Sequence, residues 1–262
     1  MVVGGGPGGL KAATVAAERG HRVTLYEAAR RVGGQVLLAE RLPGRAEFGG
    51  VVTNLAGEAR RAGVRLVTEI TVDLDVVRRE HPDVVIVATG AGPRRPPIEL
   101  SGSPVVLDAW QILRGVETPS GRIVVADWRC DWIGLGLAVL LAERGRKVTL
   151  GVDGYMPGQR IQQYVRDAMT AAVARAGVQV LPLVRLFGYD GSAVFFQHVL
   201  TDEAVIIEDV AGLVLAQGHD PVDGLLTALE TPGAFDGEVH SIGDCLAPRT
   251  VEESVLEGLK VA

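Results

Sequence analysis

The chain has 262 residues and 47% of them are hydrophobic, so it can bury the core of one large or two modest domains, and its composition argues against disorder. A formal net charge of -6 gives no electrostatic reason to bind nucleic acid or an anionic membrane, and no apolar run approaches the length that spans a bilayer. Cys130 and Cys245 are too far apart in sequence to form a C-x-x-C dithiol or a metal clip. These features predict a reduced, cytoplasmic setting without a metal site, a nucleic-acid partner or a membrane partner.

The first predicted element is a short strand that leads into a glycine-rich turn with the spacing G-x-G-x-x-G. In nucleotide-binding folds the first glycine of this spacing permits a tight turn, the second lets the backbone approach a pyrophosphate, and the third lets the next helix pack close to the strand. The N–H groups at the start of that helix then face the phosphates. The predicted phosphate-binding residues are Gly4, Gly6, Pro7, Gly8 and Gly9.

The residues after this turn supply the context that separates a nucleotide site from a purely structural turn. Residues 11–19 predict a helix that ends at Gly20, and residues 22–27 predict a strand that ends in the carboxylate of Glu27. A carboxylate at the end of this second strand can accept hydrogen bonds from the two ribose hydroxyls of an adenosine. Because strand, helix and acid all follow the expected order, we interpret the turn as a nucleotide site.

The next predicted ligand contacts lie in a second glycine-rich loop and at the end of an apolar strand. The glycine pair after Glu27 lets the backbone lie close to a ligand, and the alternative is an ordinary loop. Residues 47–62 predict a helix, residues 64–72 predict a strand, and residues 84–90 form the continuous apolar run of a strand buried on both faces. The predicted cofactor-binding residues in this part are Gly33, Gly34, Gln35, Thr89 and Gly90.

A second series of alternating strands and helices begins near Pro104, after a proline-rich linker. Such alternation predicts a doubly wound parallel sheet. Its predicted strands are residues 122–127, 147–152, 178–183, 193–200 and 211–218, and its predicted helices are residues 133–144 and 159–176.

The last predicted strand, residues 238–245, carries Gly243 and Asp244 at its carboxyl end, which is the ligand-bearing edge of a parallel sheet. Asp244 at this edge either binds the hydroxyls of a long ligand or caps a helix. We therefore predict an α/β fold of two Rossmann-like, doubly wound parallel-sheet units. The second unit, residues 104–221, is inserted in the first, which comprises residues 1–103 and 222–262.

An internal repeat relates the two units, because residues 18–25 (ERGHRVTL) recur 125 positions later as residues 143–150 (ERGRKVTL). In the second copy, the glycine that lets the helix pack closely is kept. The two glycines that permit the tight turn and the close approach to a pyrophosphate are replaced, and so is the glutamate that accepts the ribose hydroxyls. One of the replacements is an aspartate, whose charge opposes a pyrophosphate. We therefore expect NAD(P)H binding to be lost there, unless a one-residue gap makes Asp153 the ribose acceptor. The constant offset places Gly9 on Gly134, Gly4 on Arg129, Gly6 on Asp131 and Glu27 on Val152.

As a set, these motifs resemble the disulfide-reductase type of two-dinucleotide-domain flavoprotein. The resemblance implies that the first unit binds FAD, with the pyrophosphate on the glycine turn, the adenosine ribose on Glu27 and the ribityl chain on Asp244. It also implies that the inserted unit binds NAD(P)H. No redox cysteine pair is present, so the chemistries of thioredoxin reductase and dihydrolipoamide dehydrogenase are not supported.

Three segments are similar to the C-terminal half of a narrower group, the trimethylamine dehydrogenase and 2,4-dienoyl-CoA reductase group of flavin oxidoreductases. They are residues 127–134 (DWRCDWIG), 154–159 (GYMPGQ) and 243–249 (GDCLAPR). Members carry an N-terminal barrel with FMN and a four-iron cluster, which performs the substrate chemistry. The resemblance implies that this sequence is a fragment, with FMN and the 4Fe-4S cluster expected only in the missing barrel. Reductases of the group use FAD and NADPH, whereas amine dehydrogenases keep only ADP in the first unit.

Three hypotheses on function follow. The chain is the FAD-binding, electron-relaying part of an oxidoreductase with a small-molecule redox partner; or a module that holds ADP and docks the barrel; or an NAD(P)H-dependent flavin reductase whose second loop binds in an atypical way. The barrel partner belongs to the same parent polypeptide or to a homologous subunit. No residue is a convincing acid, base or nucleophile, so we predict no catalytic residue.

Overall fold

The computed structural model describes residues 1–262. They form two compact units: Met1–Glu40, Arg45–Gly92 and His219–Ala262 make up the first, and Arg41–Gly44 and Pro93–Gly218 make up the second. The domain boundaries expected after residues 103 and 221 stay a prediction, because a compact unit is not in itself an independently folding domain.

The chain alternates strands and helices along most of its length. Up to residue 113 the elements are β1 (Val2–Val3), α1 (Pro7–Glu18), β2 (Thr24–Tyr26), α2 (Val36–Ala39), α3 (Gly49–Arg61), β3 (Arg65–Val67), α4 (Leu74–Glu80), β4 (Val84–Val87), β5 (Ala91–Pro93), β6 (Glu99–Leu100), β7 (Val106–Asp108) and α5 (Ala109–Leu113). They continue with β8 (Arg122–Asp127), α6 (Trp132–Glu143), β9 (Lys147–Val152), α7 (Gln163–Arg175), β10 (Gln179–Leu181), β11 (Val184–Tyr189), β12 (Val194–His198), β13 (Ala204–Ile207) and β14 (Val210–Ala216). The last are β15 (His219–Pro221), α8 (Gly224–Leu229), β16 (Glu238–Ser241) and α9 (Val251–Val261).

The first unit is built on a five-stranded parallel sheet in the order β16-β4-β1-β2-β3. Val2 packs into one hydrophobic core with residues of α1 and α3, and Val3 packs into a second core on the opposite face with residues of α4 and α8. Alternate residues of a strand face opposite sides, so both faces of this sheet are covered. The strand ends that carry the glycine turn and Asp244 therefore meet at one edge.

The second unit contains a five-stranded parallel sheet, β10-β9-β8-β14-β7, and a separate four-stranded sheet, β13-β12-β11-β6. The α/β class with two parallel-sheet units is confirmed. The prediction that residues 193–200 belong to the parallel sheet is wrong, because β12 pairs antiparallel with both β11 and β13. Short β-branched runs pair in either direction, so the sequence alone did not distinguish the two sheets.

One strand and one helix of the first unit also differ from the sequence-based expectation. The strand predicted over residues 64–72 is only β3, and the unpredicted helix α4 follows it. The side chain of Asp73 accepts a hydrogen bond from the N–H of Val76 at 2.9 Å, which caps the start of α4. No helix in the chain has both the length and the apolar content that a bilayer crossing requires.

Candidate nucleotide site

Two of the three glycines that define the first turn leave no room for a side chain, whereas the other one leaves room. Gly4 has φ +109°, and a Cβ there would lie 2.1 Å from the carbonyl oxygen of Ala88. A Cβ on Gly9 would lie 2.0 Å from the carbonyl oxygen of Gly4, whereas a Cβ on Gly6 would meet no atom within 4 Å. The first and third glycines therefore allow the turn and the helix packing, and the second faces open space.

The start of α1 offers unfilled hydrogen-bond donors to that space. Gly6 is the N-cap residue, with φ -72° and ψ 178°, and no side chain caps the helix. Pro7 follows at the first helical turn, where its missing N–H costs nothing. The first N–H groups of a helix lack internal partners and attract anions, so this end of α1 fits a pyrophosphate.

Glu27 lies beside the turn, and its carboxylate binds the turn itself. One oxygen accepts the N–H of Gly5 at 2.7 Å, and the other accepts the N–H of Ala29 at 2.7 Å. Each carboxylate oxygen keeps a further lone pair, so these bonds leave room to accept a hydroxyl. The contact with a ribose stays a prediction, and the structure adds a positioning role for Glu27 in the glycine turn.

The Gly33-Gly34 loop lies directly against the glycine turn. The N–H of Gly33 donates to the carbonyl of Gly5 at 2.7 Å, and a Cβ on Gly34 would lie 3.2 Å from the Cα of Gly6. Both loop glycines have positive φ, +133° and +55°, which favours residues without a Cβ. The loop thus borders the same open space as Gly6.

The Gly33-Gly34 loop and the end of β16 meet through their side chains. The Nε2 group of Gln35 donates to Oδ2 of Asp244 at 2.8 Å, and the backbone N–H of Arg249 donates to Oδ1 at 3.0 Å. Thr89 donates its hydroxyl to the carbonyl of Val222 at 2.5 Å. Segments far apart in sequence are therefore brought to one edge of the first sheet.

Two further predicted residues have mainly backbone roles at this edge. Gly90 has φ +75°, and its carbonyl accepts the N–H of Val222 at 2.9 Å. Gly8 packs against α9, because a Cβ there would lie 2.9 Å from the carbonyl oxygen of Ser254. Their predicted contacts with a cofactor stay predictions. Neither Arg249 nor Glu257 was predicted from the sequence, although Arg249 lies in the GDCLAPR segment.

The turn between β8 and α6 in the second unit is longer than a constant offset of 125 residues between the two units predicts. Val2 pairs with Leu25 in the first sheet, whereas Val125 pairs with Leu150 in the second. The strand offset is thus two residues smaller than the helix offset, so the second unit has two more residues than the first between equivalent positions of the strand and the helix. The placement of Gly4 on Arg129 is therefore wrong, and Asp127 stands at the position of Gly4.

Two carboxylates occupy this second turn. A Cβ on Gly134 would lie 2.4 Å from Oδ2 of Asp127. The buried Asp127 carboxyl therefore packs against Gly134 in the same way as the carbonyl of Gly4 packs against Gly9 in the first unit. Asp131 caps α6, with Oδ1 accepting the N–H of Ile133 at 2.9 Å and Oδ2 lying 3.5 Å from Nε of Arg129. Because the helix N-terminus already has a carboxylate, these residues do not fit a pyrophosphate.

The ribose position of the second unit also differs from that of the first. Val152 corresponds to Glu27 and is fully buried in β9. Asp153, one residue further, forms an ion pair with Arg185 at 3.0 Å. It lines a cavity of about 250 Å³ together with Trp128, Cys130 and Arg160. If a one-residue gap is allowed in the repeat, Asp153 at the end of β9 takes the place of Glu27, but its carboxylate already has a cationic partner.

Asp127 predicts a specific pH dependence of stability. Burial, and then the charge of Asp131, raise the pKa of Asp127 well above its ordinary value. The folded chain therefore holds this proton more tightly than the unfolded chain, so the free energy of unfolding falls as pH rises from about 4 through the raised pKa. We expect Asp127→Asn to flatten this fall, measured as Tm between about pH 5 and pH 8. The exposed Asp236→Asn is the control, and equal slopes for wild type and Asp127→Asn would contradict the expectation.

The chain matches the family described as Pyridine nucleotide-disulphide oxidoreductase over residues 1–246, and it belongs to this family. It is 29% identical over 301 residues to the N,N-dimethylglycine/sarcosine dehydrogenase of Chromohalobacter salexigens, with 100% of this chain and 43% of that protein covered. Its fold matches histamine dehydrogenase from Rhizobium sp. 4-9 with a TM-score of 0.92 and 25% identity, covering 99% of this chain and 42% of that one. It matches 2-naphthoyl-CoA reductase with a TM-score of 0.87 and 28% identity, covering 99% and 39%.

The similarity to amine dehydrogenases and CoA-ester reductases confirms the predicted family resemblance. The chain is a pyridine nucleotide-disulphide oxidoreductase domain, of the kind that occurs in larger dehydrogenases and reductases such as these relatives. It spans less than half the length of the relatives named above. The family is one of FAD- and NAD(P)-dependent proteins.

Proposed function

We propose that the first unit binds FAD and forms the electron-relaying part of a larger flavin-dependent oxidoreductase. The observation that carries this proposal is the open space at Gly6, next to the uncapped start of α1. The Gln35–Asp244 hydrogen bond joins the Gly33-Gly34 loop, which packs against the glycine turn, to the end of β16. Gly6 and α1 hold the pyrophosphate, Glu27 accepts the ribose hydroxyls, and Asp244 accepts hydroxyls of the ribityl chain. FAD, when bound, supplies hydride and single-electron transfer.

The partner of this domain in the proposal is an N-terminal barrel that carries FMN and a 4Fe-4S cluster and performs the substrate chemistry. The relatives contain more than half of their length outside the matched region, which is room for such a domain. In this arrangement a small-molecule redox partner reacts at the barrel, and this chain binds FAD.

A second candidate function is favoured by the carboxylates of the other turn. Asp127 and Asp131 oppose a dinucleotide in the second unit, which favours a role like that of the amine dehydrogenases over that of an NADPH-dependent reductase. In that case the first unit holds ADP as a structural ligand and docks the barrel. The third hypothesis, an ordinary NAD(P)H-dependent reductase, requires a nucleotide to displace both carboxylates.

The nucleotide that the purified chain contains separates these functions. We expect a visible flavin spectrum, release of FAD on denaturation, and no bleaching of the flavin by NADPH. A colourless chain that releases ADP would replace the first proposal with the second. Bleaching by NADPH would show that the second turn accepts the cofactor despite Asp127 and Asp131.

A further inference from the structure

Helix α9 contacts both segments that border the proposed FAD site. A Cβ on Gly258 would lie 2.3 Å from the carbonyl oxygen of Gly8, so α9 packs directly against the start of α1. Ser254, one turn earlier, lies with its Oγ 3.2 Å from the position of a Cβ on Gly243. This helix thus joins the glycine turn to the Gly243-Asp244 segment.

Glu257 of α9 holds two groups with its two carboxylate oxygens. Oε2 accepts the backbone N–H of Gly243 at 2.6 Å, and Oε1 accepts from the guanidinium of Arg249. The Glu257 side chain is only 20% exposed, so the ion pair is partly shielded from water. Gly243 has φ +66°, and its bond to Glu257 secures this left-handed position at the end of β16.

Arg249 links Glu257 to the carboxylate of Asp244. Its guanidinium pairs with Glu257, while its backbone N–H donates to Oδ1 of Asp244 at 3.0 Å. The residue before Asp244 is bound by Glu257 as well. Glu257 therefore holds the backbone just before Asp244 and the side chain of Arg249, whose backbone N–H binds Oδ1 of Asp244, while Oδ2 accepts from Gln35 at 2.8 Å.

We propose that Glu257 is a positioning residue that orients Asp244 for the part of FAD beyond its ADP moiety, and that it thereby sets the preference of this site for FAD over ADP. The inference rests on the proposed function of the first unit. Glu257 acts on the Gly243-Asp244 end of the site, whereas Glu27 and the glycine turn act on the ADP end. Loss of Glu257 therefore weakens FAD binding and leaves ADP binding intact.

The variant Glu257→Gln keeps the size of the side chain and removes one acceptor. A glutamine has one carbonyl oxygen and one NH₂ group, so either the Gly243 N–H or the Arg249 guanidinium faces a donor. We expect FAD affinity of the nucleotide-free chain to fall about tenfold or more, because hydrogen bonds to a charged group are lost. ADP affinity stays within about twofold, since its site lacks these contacts.

Titration calorimetry with FAD and with ADP on the full wild-type chain, Glu257→Gln and Glu252→Gln tests the inference. Glu252 is an exposed residue of the same helix and serves as the matched control, expected to match wild type with both ligands. Arg249→Gln is a second variant that breaks the same link, and it is expected to repeat the selective loss of FAD. Equal losses of FAD and ADP, or no loss, in Glu257→Gln would overturn the inference. A wild-type chain that binds no FAD would overturn the proposed function first, and the inference with it.

Discussion

Replacing Gly6 with aspartate is expected to abolish nucleotide binding by the first unit while its fold stays intact. The backbone at Gly6, with φ -72°, suits any residue, and a Cβ there meets no atom within 4 Å. The new carboxylate would cap α1, as Asp131 caps α6 in the second unit. It would accept hydrogen bonds from the N–H groups that otherwise bind the pyrophosphate, and its negative charge would repel the phosphates. Together these effects cost several kcal/mol of binding free energy and lower the nucleotide affinity by about 100-fold or more.

Binding of FAD and ADP, together with the Tm of the nucleotide-free chain, measures this effect. Gly50→Asp is the matched control, because a Cβ on Gly50 also meets no atom within 4 Å and Gly50 lies on the exposed side of α3. We expect this control to bind like wild type. Capping is expected to keep or slightly raise the Tm of Gly6→Asp. Nucleotide affinity that is unchanged in Gly6→Asp would show that the open space at Gly6 is not the pyrophosphate site.

The substitution Gly9→Ala is expected to cause a large loss of stability in the first unit. Its Cβ would lie 2.0 Å from the carbonyl oxygen of Gly4 and 3.2 Å from Cβ of Ala88, so α1 must move away from the sheet. Forcing a methyl group into a packed backbone contact of this kind costs about 3 kcal/mol or more. Denaturant unfolding of the nucleotide-free chain measures the loss.

A glycine elsewhere in the same unit gives the opposite expectation. Gly57 lies inside α3, and a Cβ there meets only the mobile end of Arg61, at 3.2 Å. Gly57→Ala should therefore raise the free energy of unfolding by about 0.5–1 kcal/mol through helix propensity alone. If Gly9→Ala were as stable as Gly57→Ala, close contact between α1 and β1 would not be what requires glycine at this position.

The local chemistry of the first turn could be predicted because spacing fixes it. A glycine that begins the turn, one that lets a ligand approach and one that packs against the strand occur at set intervals. In the structure Gly4 and Gly9 are closely packed and Gly6 faces open space. Gln35 and Asp244 were each predicted to bind the cofactor, but contact between the two was not predicted. Their 2.8 Å hydrogen bond depends on loop conformations that the sequence pattern does not determine.

The second turn shows where the pattern was insufficient. The repeat covers only the segment around the second strand of each unit. It therefore does not reveal the two extra residues that precede α6 in the second unit. Asp127 was therefore not predicted as part of the second turn, whereas its carboxyl lies against Gly134 in the structure. Glu257 was missed for another reason: a glutamate on an amphipathic helix ordinarily faces water, and only the fold brings it to Gly243.

The nucleotide content of the wild-type and Gly6→Asp chains, measured side by side after denaturation, tests most directly whether the first turn is the nucleotide site of this protein. We predict one adenine nucleotide per wild-type chain, identified as FAD, and none in Gly6→Asp. Two nucleotides per wild-type chain, or a nucleotide that stays bound in Gly6→Asp, would contradict the conclusion that the first turn binds and the second, closed by Asp127 and Asp131, does not.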